Sequence, residues 1–209
     1  SQGISDKIIK YDKRRKFKLE LVWLKKHKGE PYQNIHNIYL ETLNEFAYEE
    51  DNLGLEFWLE SDKLNQKYIP NDNNFTKKSK LNIVIAPGAH YKTKRWSYIN
   101  FAHLIRKLKN RAETITLIGG LNDTSICNKI KELNPDIINL CGNTNLLETA
   151  ELISKSDLLI TNDTGVMHIA TARKIPVVAF FGSTVRELGF EPYSRNSLII
   201  ESDVCCRPC

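Results

Sequence analysis

Thr161-Asn162-Asp163-Thr164-Gly165-Val166-Met167-His168-Ile169-Ala170 is the stretch on which the reading of this sequence turns. Ahead of it, Asp157-Leu158-Leu159-Ile160 is a short apolar run of the kind that forms a buried strand. Within it, Val166, Ile169 and Ala170 recur at helical spacing, and Ile175-Pro176 stops the pattern. Asp163 and Thr164 therefore stand at a strand-to-helix turn. The first N–H groups of a helix lack partners there, and the turn favours an anion. His168, four residues after Thr164, is expected on the same helical face. Two readings fit these residues. One is a nucleotide site, with phosphate on the helix N-terminus and a histidine one turn in. The other is a plain cap by Asp163 and Thr164 with His168 in the core. Asp-Thr-Gly is also an aspartic-protease triplet, but that chemistry needs two carboxylates sharing a site, and the sequence holds no second copy.

Working outward, strands and helices alternate from residue 83 onward. Expected strands are 83–86, 114–118, 137–140, 158–161 and 177–181, with one more at 198–200. Expected helices are 96–108 (Ile99, Ala102, Ile105 and Leu108 on one face), 125–133, 146–154 and 165–173. This alternation implies an α/β fold, a parallel sheet with helices on both faces. Ligands of such sheets sit beyond the carboxyl ends of the strands. Pro87-Gly88-Ala89, Gly119-Gly120, Asn162-Asp163-Thr164-Gly165 and Gly182-Ser183 all fall there. Upstream, residues 4–30 mix basic and apolar residues without an assignable element. Residues 32–50 carry Ile35, Ile38, Tyr39, Leu43, Phe46 and Ala47 at helical spacing. Residues 55–59 read as a strand, and the polar stretch 61–80 as a linker.

The chain has 209 residues and a net charge of +5. Residues 1–30 carry ten Lys and Arg against four acidic residues, or +6; the rest carries twenty against twenty-one, or −1. The positive charge thus belongs to the first segment, which suits a solvated face or an anionic partner such as lipid or phosphorylated saccharide. No nucleic-acid-binding motif accompanies it, so nucleic acid is not an expected partner. No leader-like segment opens the sequence and no apolar run is long enough to span a bilayer. The expected location is the cytoplasm, with the inner face of the cytoplasmic membrane as a surface the chain can meet. Of the five cysteines, Cys205, Cys206 and Cys209 crowd the end as a lone CxxC, without the second pair of a zinc site. They read as thiols in a reducing compartment.

Several other residues invite a chemical reading. Lys92, Lys94 and Arg95 follow Gly88 in one loop, where a cation would face a diphosphate at the Asp163 turn or simply be solvated. Asp123, after Gly119-Gly120, would accept ribose hydroxyls or cap the helix starting near Ser125. His90 and His103 lack ligand-like partners, so no metal is expected. Neither a GxGxxG nor a P-loop pattern is present.

Taken together, Pro87-Gly88-Ala89, Lys94-Arg95-Trp96, Phe101-Ala102, Gly119-Gly120 and the 162–170 stretch resemble the lipopolysaccharide heptosyltransferases of glycosyltransferase family 9. Phe181-Gly182-Ser183-Thr184, Pro192-Tyr193 and Cys206-Arg207-Pro208-Cys209 fit the same family. The resemblance implies a GT-B arrangement of two Rossmann-like domains. Residues 76–209 would be the C-terminal, donor-binding domain, and residues 1–75 a remnant of the N-terminal acceptor-binding domain and linker. It further implies an inverting transfer of a heptose-type sugar from an ADP-sugar to a lipid-linked saccharide, the lipopolysaccharide inner core, at the membrane surface. The resemblance implies that neither a cofactor nor a metal takes part. Lys94 would contact the diphosphate or donor sugar, and Asp163, Thr164 and Gly165 would hold the phosphates with His168 beside them. Asp123 would meet the ribose. Two departures stand out. Ser183-Thr184 replaces a Pro-Thr pair, and nothing in residues 1–80 matches the family's strand and glycine-rich turn bearing the aspartate general base. The expectation is a fragment that binds donor and transfers little. The alternatives are a non-catalytic nucleotide-sugar-binding module and a basic nucleic-acid-binding protein.

Overall fold

The structure, a computed structural model, describes residues 10–25, 32–46, 54–60, 79–202, 204 and 206–208. These fall into two compact units. The first is drawn from Ser1–Leu53, Thr184–Glu191 and Val204–Cys209, the second from Gly54–Ser183 and Pro192–Asp203.

In the first unit, helix α1 (Arg15–Leu19) continues as a π-wound turn, Glu20–Leu24. Helix α2 (Ile35–Leu40) starts at Asn34, whose side chain accepts the His36 N–H, and tightens into a 3-10 turn, Glu41–Phe46. The helix expected over 32–50 is thus shorter and changes winding; residues 47–50 lie outside the described residues. Of its apolar positions Ile38 is buried, whereas Tyr39, Leu43 and Phe46 are exposed. Gly189, at φ 82°, accepts the Ile35 N–H, and a Cβ on it would strike the Gln33 carbonyl at 2.7 Å.

The second unit is a six-stranded, all-parallel sheet. Its strands are β1 (Leu81–Ala86), β2 (Ala112–Leu117), β3 (Ile138–Asn139), β4 (Leu158–Asn162), β5 (Val177–Phe181) and β6 (Ser197–Glu201). Their order across the sheet is β3-β2-β1-β4-β5-β6. Helices α3 (Tyr98–Leu108), α4 (Thr124–Leu133), α5 (Leu146–Ser154) and α6 (Gly165–Ala172) connect the first five strands. Successive strand residues serve opposite faces, as the pleat requires. Ile83, Ile85 and Ile160 pack with Phe101 and Ile105 of α3 and Cys127 and Ile130 of α4. Val84, Ala86 and Leu159 pack with Ala150 and Ile153 of α5 and Met167 and Ala170 of α6. Both faces are covered, which is why the central strands read as unbroken apolar runs.

Two local expectations are corrected. Ile99 is 45% exposed, and the core face of α3 is Phe101, Ala102 and Ile105 instead. Ser97 caps that helix, so Ile99 falls in the first turn, outside the buried stripe. Residues 55–59 do not form a strand. Their carbonyls have no neighbouring strand; Leu55 O accepts from Lys174 Nζ (3.3 Å) and Phe57 O from Arg173 Nη1 (2.9 Å). Leu59 is buried against the α5–α6 face, which joins residues 54–60 to the sheet unit. The compact units divide after Leu53; the boundary expected at 75/76 falls within residues 61–78, which lie outside the described residues.

Candidate functional site

Strand order reverses between β1 and β4: from β1 the chain proceeds outward to β2 and β3, then returns to β4 on the other side. A crevice opens at the carboxyl ends of two strands that diverge this way. Here it is a cleft of about 670 Å³ walled by loops after β1, β2 and β4 and by the starts of α5 and α6. Lys94, Asp123, Asp163, Thr164 and Gly165 all line it. His168 does not; the wall takes Gly165, Val166 and Ile169 from α6. At about 100° per residue those three share one side of the helix, and His168 is turned roughly 100° from their centre. His168 is half-buried, and that burial holds its imidazole below its ordinary pKa, with the Asp163 carboxylate pulling the other way.

The centre of the cleft is an ion pair. Lys94 Nζ lies 2.6 Å from Asp163 Oδ2, and Asp163 is 8% exposed. A carboxylate repels phosphate, so any hold of Asp163 on phosphate must act through Lys94. Thr164, at the N-cap of α6, makes no side-chain cap bond. Its hydroxyl lies instead 3.1 Å from that of Thr161. The start of α5, also on the wall, differs: Asn145 Oδ1 accepts the Glu148 N–H and Glu148 Oε2 accepts the Asn145 N–H. Side chains thus occupy first-turn donors of α5, while at α6 none comes from the N-cap. Gly165 opens α6, and a Cβ there would meet nothing within 4 Å. Steric crowding therefore does not require glycine at this position; its effect is to leave room beside the helix start.

Asp123 does not cap α4. Its Oδ2 accepts the Gly120 N–H (3.2 Å), and Arg95 Nη2 stands 3.7 Å from Oδ1. The carboxyl packs directly on Gly88, where an added Cβ would lie 2.2 Å from its carbon. Arg95 in turn donates from Nε to Ala89 O (2.7 Å). Each cation of the loop that faces the cleft is thus matched by a carboxylate. The wall also carries the apolar side chains of Ile118, Leu121 and Leu146 beside polar Asn122, Thr144, Asn145 and Thr149.

Asn162 escaped the sequence reading, although it lies inside the quoted stretch. Fully buried, it donates from Nδ2 to Pro87 O (2.8 Å) and Gly88 O (3.2 Å), and its Oδ1 accepts the Trp96 N–H (3.0 Å). One side chain therefore ties both ends of the loop that carries Lys94 and Arg95. Trp96 stacks on Phe180 of β5 at 4.2 Å, closing the loop over the sheet. Its only signal in sequence is a polar residue at the end of an apolar strand. Leu121, Thr144, Asn145 and Leu146 were also unmarked, since loops far apart in sequence bring them together.

A cleft with a lysine, a helix start that its N-cap side chain leaves uncapped, a carboxylate and several apolar side chains suits a ligand carrying an anion on a larger polar–apolar body. The chain is 30% identical over 182 residues to lipooligosaccharide heptosyltransferase 2 of Campylobacter jejuni, covering 85% of this chain and 58% of that protein. It aligns with the structure of E. coli ADP-heptose LPS heptosyltransferase II at 29% identity and a TM-score of 0.54, covering 59% of this chain and 39% of that one. The glycosyl transferase family 9 structure from Veillonella parvula shares the fold at 22% identity, with a TM-score of 0.68 over 83% of this chain and 50% of the other. The chain thus spans well under two thirds of the length of these relatives. The model of glycosyltransferase family 9 (heptosyltransferase) matches residues 11–209, and the chain belongs to that family.

Proposed function

We propose that this chain carries the donor half of a heptosyltransferase that acts on the lipopolysaccharide core, and that its cleft binds an ADP-heptose-type nucleotide sugar. The observation that carries the reading is the start of α6. A helix N-terminus without a side-chain cap, opened by Gly165, stands in the same cleft as Lys94. Oriented N–H groups and a lysine at one point suit a diphosphate. The relative named ADP-heptose LPS heptosyltransferase II supports ADP-heptose as the donor.

In this reading the phosphates lie on Thr164 and Gly165, and Asp163 holds Lys94 toward them. Asp123 faces the ribose, and Ile118, Leu121 and Leu146 receive the base. The reaction is an inverting displacement. A hydroxyl of the lipid-linked saccharide acceptor gives up its proton to solvent and forms the new bond to the anomeric carbon, and the anomeric C–O bond to phosphate breaks as ADP leaves with its electron pair. Lys94 and the α6 dipole stabilise the charge that grows on the departing diphosphate. That scheme requires neither metal nor cofactor. General-base assistance is assigned to no residue of this chain, and His168, off the cleft wall, takes no direct part.

Calorimetric titration with ADP and ADP-heptose tests the reading, with NMR shifts to locate the site. Binding that perturbs 161–166 and Lys94 is expected; shifts confined to other residues would refute the assignment. A transfer assay on a core acceptor separates an enzyme from a non-catalytic donor-binding module.

A further inference from the structure

We propose that His90 supplies the positive charge that the donor cleft otherwise lacks, and that it takes up a proton as a diphosphate binds. The inference rests on the donor-site reading and adds a ligand-binding residue to that site. The charged residues of the cleft wall are Lys94, Arg95, Asp123 and Asp163. Lys94 pairs with Asp163 at 2.6 Å, and Arg95 stands 3.7 Å from Asp123. Their formal charges cancel. A nucleotide diphosphate brings a negative charge on each phosphate, and a helix start offsets only about half an elementary charge. Such a ligand on a formally neutral wall leaves net negative charge in the cleft, unless a further group of the wall becomes positive.

Two titratable side chains of the wall remain, His90 and Tyr91. A tyrosine can only become negative, whereas histidine changes charge between pH 5 and 8. His90 is exposed, and its imidazole makes no hydrogen bond or ion pair among the described residues; its ring meets that of Tyr91 edge-on at 4.7 Å. The backbone beneath it is fixed. Asn162 Nδ2 donates to Pro87 O and Gly88 O, and Arg95 Nε donates to Ala89 O, so the carbonyls leading up to His90 are all held. The Lys94 N–H donates to Tyr91 O (3.1 Å), closing the turn that carries both His90 and Lys94. An uncommitted imidazole on an anchored backbone can meet an anion without rearranging its loop. Lys92, the other cation of that turn, is not on the wall, and neither is His168. A nearby negative charge favours protonated histidine, so diphosphate and proton each raise the affinity for the other. Donor affinity therefore rises as the pH falls through the range where His90 of the free chain is neutral. It levels off where His90 is already charged.

The test is calorimetric titration of the 209-residue chain with ADP-heptose at about pH 6 and about pH 8, each in two buffers of different ionisation enthalpy. An ADP-sugar is the probe because its diphosphate is esterified at both ends; a phosphate with a free end ionises a second time at about pH 6 and would titrate on its own account. Affinity is expected to be about tenfold higher at the lower pH, the low end for a hydrogen bond to a charged group. The heat should depend on the buffer in the sense of proton uptake. His90→Gln should bind weakly at both pH values, with no uptake. His90→Lys keeps its charge throughout and should bind at about pH 8 as tightly as wild type does at about pH 6. His168→Gln should retain the wild-type pH dependence. Because His90 is exposed, its variants should melt as wild type does, which separates lost binding from lost folding. Equal affinity at the two pH values, or a pH dependence that persists in His90→Gln, would overturn the role of His90 and leave the donor site standing. Absence of ADP-heptose binding at either pH would refute both.

Discussion

Lys94 and Asp163 have to be judged together. Seen in sequence, Lys94 is a loop cation; in the fold its charge offsets a nearly buried carboxylate at 2.6 Å. Lys94→Ala should weaken ADP binding by about 1.5–3 kcal/mol, the range for charged hydrogen bonds. It should also lower stability, because the nearly buried Asp163 carboxyl loses the ammonium 2.6 Å from it. With Lys94 partly open to the cleft, the cost is about 1–3 kcal/mol, below that of a deeply buried pair. Pairing Lys94→Met with Asp163→Asn should restore the melting temperature without restoring affinity. A double variant that regains ADP binding would place the phosphates elsewhere. Gly165→Ala makes the opposite demand. The Cβ meets nothing in the fold, and alanine suits a helix better than glycine. The melting temperature should hold or rise, while ADP affinity falls on the order of tenfold, or 1.4 kcal/mol. Unchanged affinity would mean that the space beside Gly165 is not used.

At the level of elements, the loop between β1 and α3 depends on a residue outside it. Asn162→Ala would leave Pro87 O, Gly88 O and the Trp96 N–H without their partner, at about 1–3 kcal/mol for buried polar groups. The loop carrying Lys94 would loosen with it, so urea unfolding and ADP titration should both register the change. Ser97→Ala is the control. It removes the α3 cap at a cost of about 1 kcal/mol and should leave ADP affinity alone. If Asn162→Ala loses stability but binds ADP as wild type does, the loop is not positioned by Asn162. The helices facing the cleft were legible in sequence because their apolar spacing is local. Asn145 with Glu148 even spells a capping box. That Thr164 leaves its helix uncapped was not legible, since a threonine ahead of a helix ordinarily caps it; here its hydroxyl lies against Thr161.

For the molecule as a whole, acid should be destabilising through His168. Burial sets its folded-state pKa below the ordinary 6.5, the Asp163 carboxylate offsetting part of the shift. Between those two values the unfolded chain binds a proton that the folded chain does not, so stability rises with pH across that window. The contribution is fully present above the ordinary value and is lost as the pH falls below it. The melting temperature should be lower at about pH 5 than at about pH 7.5, and His168→Gln should flatten the difference. An unchanged slope in that variant would assign the acid sensitivity to other groups.

The sequence by itself determined the strands, the helices and their alternation from residue 83 onward. Those depend on periodicities of two and 3.6 residues, which neighbours along the chain impose. Composition likewise placed the positive charge in residues 1–30. Strand order was decided only by the tertiary structure, because nothing local says that β4 returns to lie against β1 rather than beyond β3. The cleft follows from that return. It sets Lys94 on Asp163, Asp123 on Gly88 and Asn162 between the ends of a loop some 70 residues away. It also takes His168 off the wall, since a helix's rotation is fixed by the core it buries, here Met167 and Ala170, and not by the turn that begins it.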